Sequence, residues 1–138
     1  MGAWDETVFG NDDAADWVAD LAEGGSPEQV EQLLGEVAGL PADDYLESGP
    51  GAEALAAAEL VAAALGRGLP ATPYSEVGLG WVAKHPEVAA LQPLARAAVE
   101  RVRTPESELL ELWQEDETDP ADHRAWQDAL ADLLTRLG

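Results

Sequence analysis

The chain has 138 residues, 28 Asp and Glu against seven Lys and Arg, a formal net charge of −21 and no Cys. That composition excludes a disulfide framework, a thiolate nucleophile and a thiolate zinc site, and it argues against direct contact with nucleic-acid phosphates. At 46% hydrophobic, the chain suffices for one domain, 1–138, with a core of its own.

In chain order, the first 66 residues hold 15 of the acids and no base. The opening turns polar by Asp5, with neither a basic nor an apolar leader region, so a cytoplasmic location is expected. Residues 12–23 predict a first helix, with Ala14, Trp17, Val18 and Leu21 on one face. Asp12, Asp13, Asp16, Asp20 and Glu23 share the opposite one. Ser26-Pro27-Glu28-Gln29 reads as an N-cap, a first-turn Pro and a capping partner, opening a second helix over 27–38. Residues 52–65 predict a third, almost entirely Ala, Leu and Val apart from Glu53 and Glu59. A helix apolar nearly all round is a buried one, so it should form the centre. This apolar run falls short of the roughly 20 residues a membrane span needs.

Gly39 and Gly66 stand where a left-handed residue would close the second and third helices. A Gly/Pro-rich connection then leads to a fourth helical region over 76–103, with breaks expected at Pro86 and Pro93. Within it, the segment from Val88 to Arg103 contains Arg96, Arg101 and Arg103 against only Glu100 and reverses the local charge. Thr104-Pro105 is expected to start a fifth helix that carries Leu109, Leu110, Leu112 and Trp113, and Asp119-Pro120 a sixth over 120–137. No stretch alternates long enough to predict a strand. The fold class is therefore all-α, a single bundle of about six helices around an Ala-rich centre.

The residues Met1-Gly2-Ala3-Trp4, Phe9 and Asn11-Asp12-Asp13-Ala14-Ala15-Asp16-Trp17 carry a resemblance. So do the Ala-rich helix from Ala56 to Gly66, the late Ser107-Glu108-Leu109-Leu110-Glu111-Leu112-Trp113, and the C-terminal Trp126 with Leu130, Leu133 and Leu134. The chain resembles the bacterial family catalogued as domain of unknown function 4259. One departure stands at Asp5-Glu6-Thr7-Val8, where the family usually carries Gly. The resemblance implies a small intracellular bacterial protein and supplies no activity.

Few residues point to chemistry. No Ser stands in a Gly-x-Ser-x-Gly motif, and no Glu-x-x-His pair suggests a carboxylate-bridged di-metal bundle. Gly78-x-Gly80-x-x-Ala83 matches a loose dinucleotide fingerprint, yet no apolar strand precedes it, so no cofactor is expected. Two oxygen-rich clusters, Asn11–Asp16 and Asp119/Asp122/His123, are the candidate sites for a divalent cation, although neither has an EF-hand spacing. His85 and His123 are far apart. Trp4 and Phe9 suit a staple onto the first helix. Trp17, Trp113 and Trp126 fall on apolar stripes, leaving Trp81, beside Gly78 and Gly80, as the aromatic placed at a partner surface.

The candidate interaction face is therefore Asp12, Asp16, Asp20, Glu23 and Trp81. A field of this sign repels nucleic acid and anionic membranes and draws basic proteins in. The expectation is a non-catalytic interaction protein for a basic partner, of the immunity or antitoxin kind. The alternatives are a small divalent-metal-dependent enzyme or ligand-binding protein, and a nucleic-acid mimic. Oligomeric state is not legible in the sequence.

Overall fold

Caps and prolines place most of the helix boundaries. The computed structural model describes residues 12–68, 76–115 and 120–138, with the side chains of residues 12, 113–115 and 120–123 outside that description. Helix α1 covers Asp12–Ala22 and α2 covers Pro27–Ala38. Pro27 sits in the first turn of α2, where its missing N–H is no loss, and Gln29 Oε1 accepts the Ser26 N–H at 2.8 Å. Helix α3 spans Ser48–Ala64 and so begins ahead of the expected residue 52. Gly49 and Pro50 fall in its first turn, where the backbone N–H groups have no intrahelical partner in any case.

Helix α4, Glu76–Lys84, stops at His85, which leaves the helical region because the Pro86 ring clashes with a helical predecessor. A 3-10 helix over Pro86–Leu91 then runs directly into α5, Gln92–Val102. Pro93 thus opens a helix and does not break one. Helices α6, Glu108–Glu115, and α7, Pro120–Leu137, complete the described chain. Thr104-Pro105 is not the start of α6. Thr104 Oγ1 donates to the Arg101 carbonyl and accepts from Arg101 Nη1, both at 2.7 Å, and this turn satisfies the cap residue without a helix.

The two glycines behave differently. Gly66 has φ 79° and supplies the left-handed residue after α3, whereas Gly39 stays right-handed at φ −85° and donates to Gly35 O at 2.9 Å. The described residues contain no strand, and the chain is all-α. One isolated parallel bridge links Leu46 to Ser107.

Helix α3 is the axis of the bundle and touches each of the other helices. Ala54, Ala56, Ala57, Ala58, Leu60, Val61 and Ala62 are fully buried. The small side chains let neighbouring helices approach, while Leu60 and Val61 each contribute about 1.5–3 kcal/mol by leaving water. Leu34 of α2, Val99 of α5 and Leu130 and Leu133 of α7 close the same core.

Glu59 interrupts this apolar helix and is 3% exposed. Arg136 of α7 meets it with two parallel bonds, Nη1 to Oε2 at 2.5 Å and Nη2 to Oε1 at 3.0 Å, and turns Nε to Asp132 at 2.8 Å. Burial pushes the Glu59 carboxyl above its ordinary value and the Arg136 fork pulls it back only in part. Around the C-terminal turn of α7, Gln92 donates to the Leu137 carbonyl, Arg96 to Leu134 O at 2.8 Å and Arg67 to Arg136 O at 3.2 Å. Carbonyls that a helix end leaves unpaired are satisfied from α5 and from the segment after α3.

Candidate functional site

Helix α1 separates apolar from acidic residues as its periodicity requires. Ala14, Val18 and Leu21 are buried against α3 and α4, and Trp17 packs at the edge of the same core. Asp13, Asp16, Asp20 and Glu23 are exposed on the other side. The backbone of Asp12 opens the helix; its side chain lies outside the described residues. On α2, Glu28, Glu31 and Glu36 are exposed as well. Glu53, at the edge of α3, is half-buried, and its carboxyl is pushed up by burial and then by the charge of Asp13.

Four of the seven cations turn away from this surface. Arg67 and Arg96 cap α7, Arg136 pairs with Glu59, and Arg101 is buried at 6% exposure. Among the described residues, ion pairs join only His85 to Glu87, Arg103 to Glu100, and Arg136 to Glu59 and Asp132. None reaches an acid of α1 or α2.

Trp81 does not belong to the acidic face. It is 5% exposed, its indole N–H donates to Gly25 O at 3.0 Å, and its ring lies 4.6 Å from that of His85. The neighbouring glycines do not mark a surface: α4 is an ordinary helix, and Gly78 lets its backbone approach α1 and α3 closely. The same fact removes the dinucleotide fingerprint, since Gly78 and Gly80 are helical. Asn11, Trp4, Phe9 and Asp119 lie outside the described residues, as do the side chains of Trp113, Asp122 and His123. No group of three His, Cys, Asp or Glu among the described residues is arranged to hold a metal ion.

A second feature was not marked in the sequence. Between α2 and the start of α3 the surface sinks into a groove of about 240 Å³, floored by Leu33, Val37, Leu40, Leu46 and Pro50. Glu36 and Glu47 stand at its rim. Tyr45 forms one wall at 46% exposure and donates its hydroxyl to Glu111 Oε2 at 2.8 Å.

The wall is held from behind by Arg101 of α5. Its guanidinium donates to the carbonyls of Leu40 and Pro41 at 3.1 Å each, to Asp44 O, and to Glu106 O at 3.4 Å. A buried Arg without a carboxylate is tolerable only when its N–H groups are satisfied, and here carbonyl and hydroxyl oxygens do so. Leu46 adds two backbone bonds, accepting from Glu108 N and donating to Glu106 O, each 2.8 Å. Glu108 Oε1 takes the Ser48 N–H at 2.7 Å. The only trace of this in the sequence is an aromatic residue in the link between two helices, at Tyr45.

The fold and surface define an all-α protein with a buried small-residue axis, exposed acidic helix faces without ion-pair partners among the described residues, and an apolar groove beside α2. The chain belongs to the family described as Domain of unknown function (DUF4259), whose model matches residues 2–129. No curated protein and no solved structure matches the chain. No described helix is long and apolar enough to cross a membrane.

Proposed function

We propose that the protein is a non-catalytic interaction protein whose acidic α1–α2 surface engages a basic protein partner. One observation carries this reading: Arg67, Arg96, Arg101 and Arg136 bond carbonyls or Glu59, Arg103 pairs with Glu100, and the carboxylates of α1 and α2 have no ion-pair partner among the described residues. Like charges at i, i+4 on a helix, such as Asp16 and Asp20, cost it a few tenths of a kcal/mol per pair. A cationic surface relieves that repulsion and is drawn in by the same field, which raises the association rate. An immunity or antitoxin-like role suits such a surface, because neutralising a target depends on fast capture.

The test is affinity capture from the host's lysate at low salt with elution at high salt, followed by association kinetics on the purified captured protein. Asp16→Asn with Asp20→Asn should slow association several-fold at low salt while leaving the helical spectrum unchanged. The difference should vanish near 1 M salt, where the Debye length is about 3 Å. Association rates indifferent to both the substitutions and the salt would overturn the reading.

A further inference from the structure

The groove beside Tyr45 has properties that the acidic face lacks, and they specify what part of a partner it takes. We infer that it is a docking groove for a short segment of a basic protein, an apolar side chain flanked by Lys or Arg; this rests on the basic-partner reading above. Its size is the first argument. At about 240 Å³ it falls below the 300–1,000 Å³ typical of sites that enclose a drug-sized molecule, and it matches a single large aliphatic or aromatic side chain.

Its chemistry is the second. The floor is aliphatic, so what enters must be apolar, whereas the rim carries Glu36 and Glu47, with Glu111 at the Tyr45 hydroxyl. An anionic or neutral segment would leave the charge of these carboxylates uncompensated at the edge of a desolvated contact. A cationic flank pairs with them. Tyr45 supplies the third argument. It is one of two large hydrophobic residues exposed among those described, and the other, Val77, lies on α4. A half-exposed Tyr with its hydroxyl already oriented by a carboxylate offers a rigid aromatic wall, the kind of residue on which interface energy concentrates.

The groove is also preformed. Leu40, Tyr45 and Leu46 sit on a segment fixed by the Arg101 guanidinium and by the Leu46 bridge, so binding does not have to order that wall.

The experiment uses the full chain and two labelled peptides of equal charge, one carrying adjacent leucines between lysines and the other serines in their place. Fluorescence anisotropy should show the leucine peptide binding about tenfold or more tightly than the serine peptide. Tyr45→Ala or Leu33→Gln should abolish that preference. Glu36→Gln with Glu47→Gln, both at exposed positions, should weaken the leucine peptide several-fold without altering the thermal melt. Asp16→Asn with Asp20→Asn should leave the leucine preference intact. If both peptides bind equally and both lose affinity on substitution of Asp16 and Asp20, the groove assignment fails while the acidic-face reading survives. If neither peptide binds at low salt, both fail.

Discussion

Gly78 and Gly80 stand two positions apart in one helix and face different surroundings. A Cβ at Gly78 would lie 2.8 Å from Leu60 Cδ2 and 3.2 Å from Val18 Cγ1, whereas a Cβ at Gly80 meets nothing within 4 Å. Val18 is β-branched and Leu60 fully buried, so neither moves aside easily. Overpacking typically costs about 1–3 kcal/mol, more than the gain of up to about 1 kcal/mol for replacing a helical Gly with Ala. Gly78→Ala should therefore lower stability by about 1 kcal/mol, and Gly80→Ala should raise it by about 0.5–1 kcal/mol. Urea midpoints of the two variants check the pair, and shifts of the same sign would show the α1–α3–α4 contact to be looser than the structure has it. The sequence displays the Gly-x-Gly spacing but not which glycine faces a neighbour. For the same reason Trp81 reads as a surface residue there: its indole N–H is met by the Gly25 carbonyl, from a distant part of the chain.

Among the helices, legibility follows local signals. Ser26-Pro27 and Pro120 mark the beginnings of α2 and α7 where they occur, and the run of alanines marks α3 as the centre. The start of α6 was not legible, because Thr104-Pro105 has the residues of a cap while Arg101 recruits them into a turn. Nor does any pattern mark the bond between α3 and α7 made by Glu59 and Arg136, 77 residues apart. Removing one partner of a buried pair leaves a charge without compensation and costs about 3–5 kcal/mol. Glu59→Leu and Arg136→Met should each destabilise the fold by about 3 kcal/mol, since Arg136 keeps some access to water. The double variant should recover most of the loss, because an apolar pair of similar bulk suits this interface. Denaturation of the three variants in one cycle gives the coupling energy, and additive losses would mean that the two side chains act independently.

For the whole molecule, the acidic half was plain from the sequence, and so was the solvent face of α1. The groove was not, since its floor joins α2, the link after it and the first turn of α3, and its wall depends on Arg101. The charge itself has a pH consequence. Glu53 is held above its ordinary value by burial and by Asp13, and Glu59 by burial, so the folded state binds protons more tightly than the unfolded one. Stability then falls as pH rises from the ordinary value of 4.5 through the raised ones, and returns as pH is lowered through them. Relief of self-repulsion acts in the same direction. The melting temperature should be higher at about pH 5 than at about pH 7.5, and Glu53→Gln should narrow the gap. A melting temperature that only declines on acidification would contradict this.

The engagement of four arginines with other parts of the fold has one more consequence. Because Arg67, Arg96, Arg101 and Arg136 are engaged with carbonyls and with Glu59, neutralising the outer carboxylates falls largely to a cloud of small mobile cations that travels with the protein. A basic partner that settles on α1 and α2 sends those ions back to bulk solution, and their regained freedom helps drive the union. The same cations, supplied in excess, oppose it. On the basic-partner reading proposed above, the strength of that union therefore follows the ionic strength around the protein.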